Sequence, residues 1–207
     1  MIFRQLQLGQ MQNFSYIIGD ELTRESAIVD PGWEIDKIQR ISRDLRLNIT
    51  SILITHTHFD HINGVKALAN NSNVKVYVHE KEAKVFIELN DKVIPIKDKD
   101  IIKIGSLEIK VIHSPGHSNG SVCFLVDKKL ITGDTIFVCA CGRTDLPGGD
   151  TKQLFESLQK IANMLEDIEI YSGHDYGDVP FSTVKYEKEN NPYLQCKSFE
   201  EFLALRG

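Results

Sequence analysis

Apolar positions along the chain follow two periods, and the changes between them mark out its elements. Phe3–Leu8, Phe14–Ile18 and Ser26–Val29 are short apolar or alternating runs, the pattern of an opening set of antiparallel strands. From Glu34 to Leu45 the spacing becomes helical, with Ile35, Ile38, Ile41 and Leu45 on one face. Ser51–Ile54 predicts a buried strand, Ile62–Leu68 a helix, Val74–Val78 a strand and Lys81–Leu89 a helix. Two hairpins follow: Ile101–Ile104 with Leu107–Ile112 around Gly105–Ser106, and Ser121–Val126 with Lys129–Ile131 around Asp127–Lys128. Thr151–Leu165 is strongly amphipathic, with Leu154, Leu158, Ile161 and Leu165 in register. Ile168–Tyr171 predicts the last strand, and helices around Thr183–Asn190 and Ser198–Leu205 close the chain. Strand blocks with covering helices predict an α/β (α+β) fold of sheets packed between helix layers. No repeat, low-complexity block or linker interrupts it, so residues 1–207 are expected to form one domain.

Composition narrows the function classes. The 207 residues are 42% hydrophobic and 26% charged, which excludes disordered and fibrous classes. A net charge of −5 argues against a nucleic-acid partner, because such binding runs on phosphate neutralisation. The longest apolar run, Ile136–Cys141, is too short to span a bilayer, and MIFRQLQLGQ is too polar for a signal peptide. The expectation is a soluble cytoplasmic protein with no membrane partner, as monomer or homodimer. Its four cysteines are expected to stay reduced.

The chemistry concentrates in THTHFDHING, from Thr55 to Gly64. His56, His58, Asp60 and His61 are four metal-capable side chains within six positions of a chain that has seven histidines in all. In an extended segment His56 and His58 point the same way and can reach one metal, while Asp60 and His61 can address a neighbouring one. Three further groups, His117 in SPGHSNGS, Asp134 in ITGDTIF and His174 in YSGHDYG, each follow a predicted strand. Side chains from several strand ends can converge at one edge of a sheet. Five histidines and two aspartates exceed what one metal takes, so they predict two divalent ions. His56, His58 and His117 are assigned to the first, Asp60, His61 and His174 to the second, and Asp134 to a bridge. Zinc is expected first, with iron or manganese as alternatives, since mixed imidazole and carboxylate ligands suit all three.

HTHFDH with downstream PGHSNG, GDT and GHDYG resembles the metallo-β-lactamase superfamily over nearly the whole chain, including the VDPG turn at Asp30–Gly32. The resemblance implies a four-layer αββα sandwich with metals at one edge, and the seven residues fall on the family's ligand positions. Within the superfamily, GDTIFVCACGRTDLPGGD and STVKYEKENNPYL are similar to the short glyoxalase II-like (hydroxyacylglutathione hydrolase) group, which cleaves thioesters such as S-lactoylglutathione. This implies a small-molecule thioester as substrate, a metal-bridging hydroxide as nucleophile, and catalytic roles for Asp60 and Asp134. Full-length members carry an additional helical domain that helps hold glutathione, whereas only about thirty residues follow His174 here, and Thr144 and Asp145 replace aromatic residues after CGR. The thiol carrier therefore stays open. CGRTD, HDYG and NPYL also resemble persulfide dioxygenases of the same fold, which use one iron at positions matching His56, His117 and Asp134. A β-lactam hydrolase is disfavoured because such enzymes are exported.

Other polar residues are given structural roles. His79 is expected at the surface of a strand end, and His113 beside the site without ligating. Tyr176 and Asp175 are candidates to touch substrate or orient His174. Arg143 is a candidate for a substrate carboxylate or a salt bridge, Trp33 is expected to pack, and Cys141 has no base beside it to make it a nucleophile.

Overall fold

The structure is a computed structural model that describes residues 1–70 and 73–206; no predicted element or site residue falls on the others. Strands β1 (Ile2–Leu8), β2 (Asn13–Gly19) and β3 (Glu25–Val29) open the chain as an antiparallel meander. Helix α1 (Ile35–Asp44) carries the chain to β4 (Asn48–Leu53), which lies parallel to β3. Short helices α2 (Phe59–Ile62) and α3 (Val65–Ala69) lead to β5 (Lys75–His79), and a 3-10 stretch, Ala83–Lys92, leads to β6 (Val93–Ile96). These six strands form one sheet in sequence order.

The second sheet begins with β7 (Ile101–Ile104), β8 (Leu107–His113), β9 (Val122–Val126) and β10 (Lys129–Gly133), all antiparallel. A small ribbon of β11 (Ile136–Phe137) and β12 (Ala140–Cys141) and helix α4 (Thr151–Ala162) follow. Strand β13 (Glu169–Ser172) then joins parallel to β10, and β14 (Ser182–Thr183) completes the sheet. Helices α5 (Val184–Asn190), α6 (Pro192–Gln195) and α7 (Phe199–Arg206) end the chain.

Period-two alternation on the strands sorts side chains into three cores. Tyr16, Ile18, Val29 and Leu53 of the first sheet face Ile109, Val111, Phe124 and Ile131 of the second. The intervening residues Ile17, Ile28 and Ile52 turn outward against Ile38, Val65 and Leu68 of the helices. On the far side, Ile112, Cys123, Leu130 and Ile170 meet Leu154, Leu158 and Ile161 of α4 and Phe202 of α7. The result is the four-layer αββα sandwich. No helix among the described residues is long and apolar enough to cross a membrane.

Four expectations are corrected. The predicted Ile62–Leu68 helix is two short helices, because Gly64 packs so closely that a Cβ there would lie 2.5 Å from the Pro31 carbonyl oxygen. The Lys81–Leu89 helix is a 3-10 stretch broken by non-helical φ/ψ at Phe86 and Asn90. Strand β6 was hidden by Pro95, which is tolerated because β6 is the edge of its sheet. Helix α4 ends at Ala162, leaving Leu165 72% exposed. Asp150 caps the start of α4 by accepting from the Gln153 N–H at 2.9 Å.

Leu158 is fully buried between α4 and the second sheet. Leu158→Ala is expected to cost about 2–5 kcal/mol of unfolding free energy, measured by denaturant titration. A loss below about 0.5 kcal/mol, the scale of an ordinary surface substitution, would contradict this packing.

Candidate metal centre

All seven predicted residues meet at one edge of the sandwich. His56 and His58 follow β4, and Asp60 and His61 ride on α2. His117 lies beyond β8, Asp134 directly after β10, and His174 just after β13. Strands that run the same way at this edge deliver their carboxyl ends to one place, the convergence expected of residues that each follow a strand.

Two clusters form there. Ligand-type atoms of His56, His58 and His117 all lie within 4.8 Å of one another, as do those of Asp60, His61 and His174. His117 Nε2 is 2.8 Å from His58 Nδ1, and His61 Nε2 is 3.2 Å from His174 Nε2. Asp134 stands between the clusters: Oδ1 is 3.4 Å from His61 Nε2, while Oδ2 is 3.6 Å from His117 Nε2 and 3.3 Å from His174 Nε2. Asp60 Oδ2 is 3.3 Å from His174 Nε2.

The outer nitrogens explain why the inner ones point where they do. His117 Nδ1 is 2.8 Å from the Arg143 carbonyl oxygen, and His174 Nδ1 is 2.9 Å from that of Met11. His61 Nδ1 is 3.1 Å from Asp30 Oδ2. Thr55 Oγ1 donates to Asp30 Oδ2 and lies 3.1 Å from His56 Nδ1, so it is free to accept from that ring. With Nδ1–H donating outward in all four rings, each Nε2 is turned toward the centre, where it can offer a lone pair once it carries no proton.

Buried His56 Nε2 and Asp134 Oδ1 have no hydrogen-bond partner. Buried polar atoms are rarely left so, and here they face other acceptors. Burial pushes His56 well below the ordinary imidazole value, and the imidazoles of His61 and His117 add to the effect. Burial alone would lower His174, but the Asp134 and Asp60 carboxylates raise it to about 10. Burial alone would likewise raise Asp60 and Asp134, yet the surrounding imidazoles hold both carboxyls below the ordinary range. Inward-facing imidazole nitrogens, orphaned acceptors and two carboxylates fit divalent cations.

Three residues of this edge went unread in the sequence. Asn13 Nδ2 donates to Asp60 Oδ2 at 2.8 Å, and its Oδ1 accepts from Trp33 Nε1 at 2.9 Å. Trp33 therefore holds Asn13 as well as packing. Asp30, in the VDPG turn, accepts from the Thr55 N–H at 2.8 Å and steadies the segment that enters the site. Gly32 lets that turn approach α2, since a Cβ would lie 1.7 Å from the Asp60 carbonyl oxygen. Glu82 is the third. Its Oε2 accepts from the Thr57 N–H and hydroxyl, each at 2.9 Å, and its Oε1 accepts from the Gly120 N–H at 2.9 Å. One carboxylate thus ties the His56–His58 segment to the loop that carries His117. Glu82→Ala is expected to weaken metal affinity about 10- to 100-fold, read by competition with a chromophoric chelator. Unchanged affinity would show that the two loops hold their places without it.

The remaining expectations divide. His79 is buried, not exposed, with its ring stacked on His113 at 4.2 Å and 8°. Tyr176 stacks on His174 at 4.5 Å and 11°, whereas Asp175 does not orient that ring; the Met11 carbonyl does. Arg143 forms a two-point ion pair with Asp145 at 2.7 and 2.6 Å. Burial pushes the Cys141 thiol up to about 11, so it stays protonated and is no nucleophile. Beside the cluster lies a cavity of about 660 Å³ that includes His58, Asp60, His117, Asp134 and His174 in its wall.

Comparison with known proteins agrees with this geometry. The chain is 32% identical to the probable polyketide biosynthesis zinc-dependent hydrolase PksB of Bacillus subtilis, covering 94% of this chain and 87% of that one. It is also 32% identical to the hydroxyacylglutathione hydrolase GloC of Haemophilus influenzae, over 90% and 94% of the two chains. Against the human mitochondrial persulfide dioxygenase ETHE1 the identity is again 32%, over 100% and 81%. Residues 8–174 match the metallo-beta-lactamase superfamily as a family. With that match spanning the whole metal-binding edge of an αββα sandwich, the chain belongs to the metallo-beta-lactamase superfamily.

Proposed function

We propose that this protein is a binuclear metal-dependent hydrolase of thioesters. The observation that carries the reading is the position of Asp134, one carboxylate within 3.6 Å of imidazoles from both histidine clusters. His56, His58 and His117 would hold one ion, Asp60, His61 and His174 the other, and Asp134 both. Zinc is the first expectation, with iron or manganese as alternatives. Bound there, divalent ions supply a water acidic enough to act as nucleophile near neutral pH and a Lewis acid for a carbonyl oxygen.

The chain's own residues do the rest. Asn13 and Trp33 fix Asp60, so that its carboxylate stays aimed at the centre. The Arg143 and Met11 carbonyls fix His117 and His174. Among the described residues no lysine stands in the cavity wall as a general acid, which suits a thiolate leaving group that departs without a proton. Similarity to a hydroxyacylglutathione hydrolase supports thioester chemistry.

The test is thiol release from S-lactoylglutathione and from N-acetylcysteamine thioesters by metal-loaded and chelated protein. Metal-dependent turnover of any of them at a kcat/KM of about 10⁴ M⁻¹s⁻¹ or more is expected. Failure with every thioester would overturn the reading. Similarity to the human persulfide dioxygenase over the full chain favours a second reading, an oxygenase with one iron. Iron-dependent oxygen uptake with a low-molecular-weight persulfide would establish that one instead.

A further inference from the structure

The cavity beside the cluster has an apolar outer wall. Met11, Phe59, Phe137, Leu146, Pro147 and Tyr176 contribute to it. Phe59 at 62%, Tyr176 at 55% and Met11 at 38% remain substantially open to solvent, and Pro147 is exposed too. The rings of Phe59 and Tyr176 are nevertheless held in place. Phe59 sits edge-on to Trp33, with centroids 6.3 Å apart, and Tyr176 is stacked on His174 and edge-on to Phe137 at 5.4 Å. Fixed, exposed apolar groups around a cavity that contains a polar centre have the make-up of a binding wall.

Charge in the wall points the same way. Among the described residues, Arg143 is the one lysine or arginine lining the cavity, and both its bonds go to Asp145. Glutathione at neutral pH carries two carboxylates and an ammonium group, and unpaired cations would meet the carboxylates most strongly. Burying part of an alkyl chain requires only the apolar wall that is present.

We propose that the site is selective for thioesters of extended apolar acyl groups on an uncharged thiol, over those of glutathione. This rests on the thioester-hydrolase reading. Phe59, Tyr176 and Leu146 are the specificity-determining residues.

Two measurements test it. The first compares kcat/KM for hexanoyl- and acetyl-N-acetylcysteamine and S-lactoylglutathione on metal-loaded protein. Each methylene that reaches the wall is worth up to about fourfold, so the hexanoyl ester is expected to exceed each of the others at least about tenfold. Phe59→Ser is expected to bring the hexanoyl-to-acetyl ratio down toward one, and Leu146→Ser, on a different segment, to do the same in smaller measure. A general structural defect would lower both esters together and leave the ratio standing. The second measurement follows binding of uncleavable thioethers by the fluorescence of Trp33, the one tryptophan in the chain. S-hexyl-N-acetylcysteamine is expected to bind at least about tenfold more tightly than S-methylglutathione.

Faster cleavage of S-lactoylglutathione, or a hexanoyl-to-acetyl ratio near one in the wild type, would overturn the inference and leave the hydrolase reading intact. If no thioester is cleaved, the hydrolase reading falls. The fluorescence titration then decides alone, and equal or tighter binding of S-methylglutathione overturns the inference.

Discussion

His56→Ala is expected to reduce thioester turnover to the level of chelated wild type, a loss of about 10³-fold or more, and to lower metal content. His56 is buried with its Nε2 unpartnered, at the point where the ligand-type atoms of His58 and His117 converge. Alanine there removes a neutral donor that no neighbour can replace. Asp134→Asn probes the same centre by charge, with shape nearly conserved. An amide at 134 removes the negative charge that serves both clusters and turns one acceptor into a donor aimed at inward lone pairs. Its loss of turnover is expected to match that of His56→Ala. Metal analysis of the purified variants should show fewer ions per chain in both. Wild-type turnover in either variant would sink the assignment of the centre.

Removing metal is expected to lower thermal stability with the fold preserved. A ligand that binds only the folded chain stabilises it by mass action, about 4 kcal/mol at a thousandfold excess over Kd. For a chain of this size that corresponds to roughly 8–16 °C in Tm. Scanning calorimetry with and without chelator, followed by re-addition of zinc, reads the effect directly. The metal-free chain should still unfold cooperatively, because none of the seven site residues belongs to the three apolar cores. Carboxylates and imidazoles at the centre can also pair with each other, as Asp60 and His174 do at 3.3 Å. An unchanged Tm on loss of metal would mean that these residues do not hold it.

The candidate ligands were legible in the sequence for a physical reason. His56, His58, Asp60 and His61 fall within six consecutive positions, and local geometry keeps such residues near one another. His117, Asp134 and His174 were legible because each follows a strand, and parallel strands of one sandwich release their chains at a shared edge. Asn13, Asp30 and Glu82 were not. Asn13 reaches Asp60 across 47 residues, and Glu82 bridges Thr57 and Gly120 from a stretch whose helical period misled. A polar residue at a strand end or in a turn carries no sequence signal of which distant group it will meet. The same limit explains His79, whose burial depends on a stacked partner from a different sheet.

Hydrophobic periodicity by itself determined the strands, the main helices and the layered class, because burying one face of each element is a local demand on the sequence. Residue chemistry at close spacing marked out side chains suited to metal ions. Only the tertiary structure decided the distances at which Asp134 stands between the two clusters, which carbonyls face the imidazole Nδ1 atoms, and which side chains wall the cavity. Those outcomes depend on distances between segments far apart in the chain, and such distances exist only once the two sheets have packed.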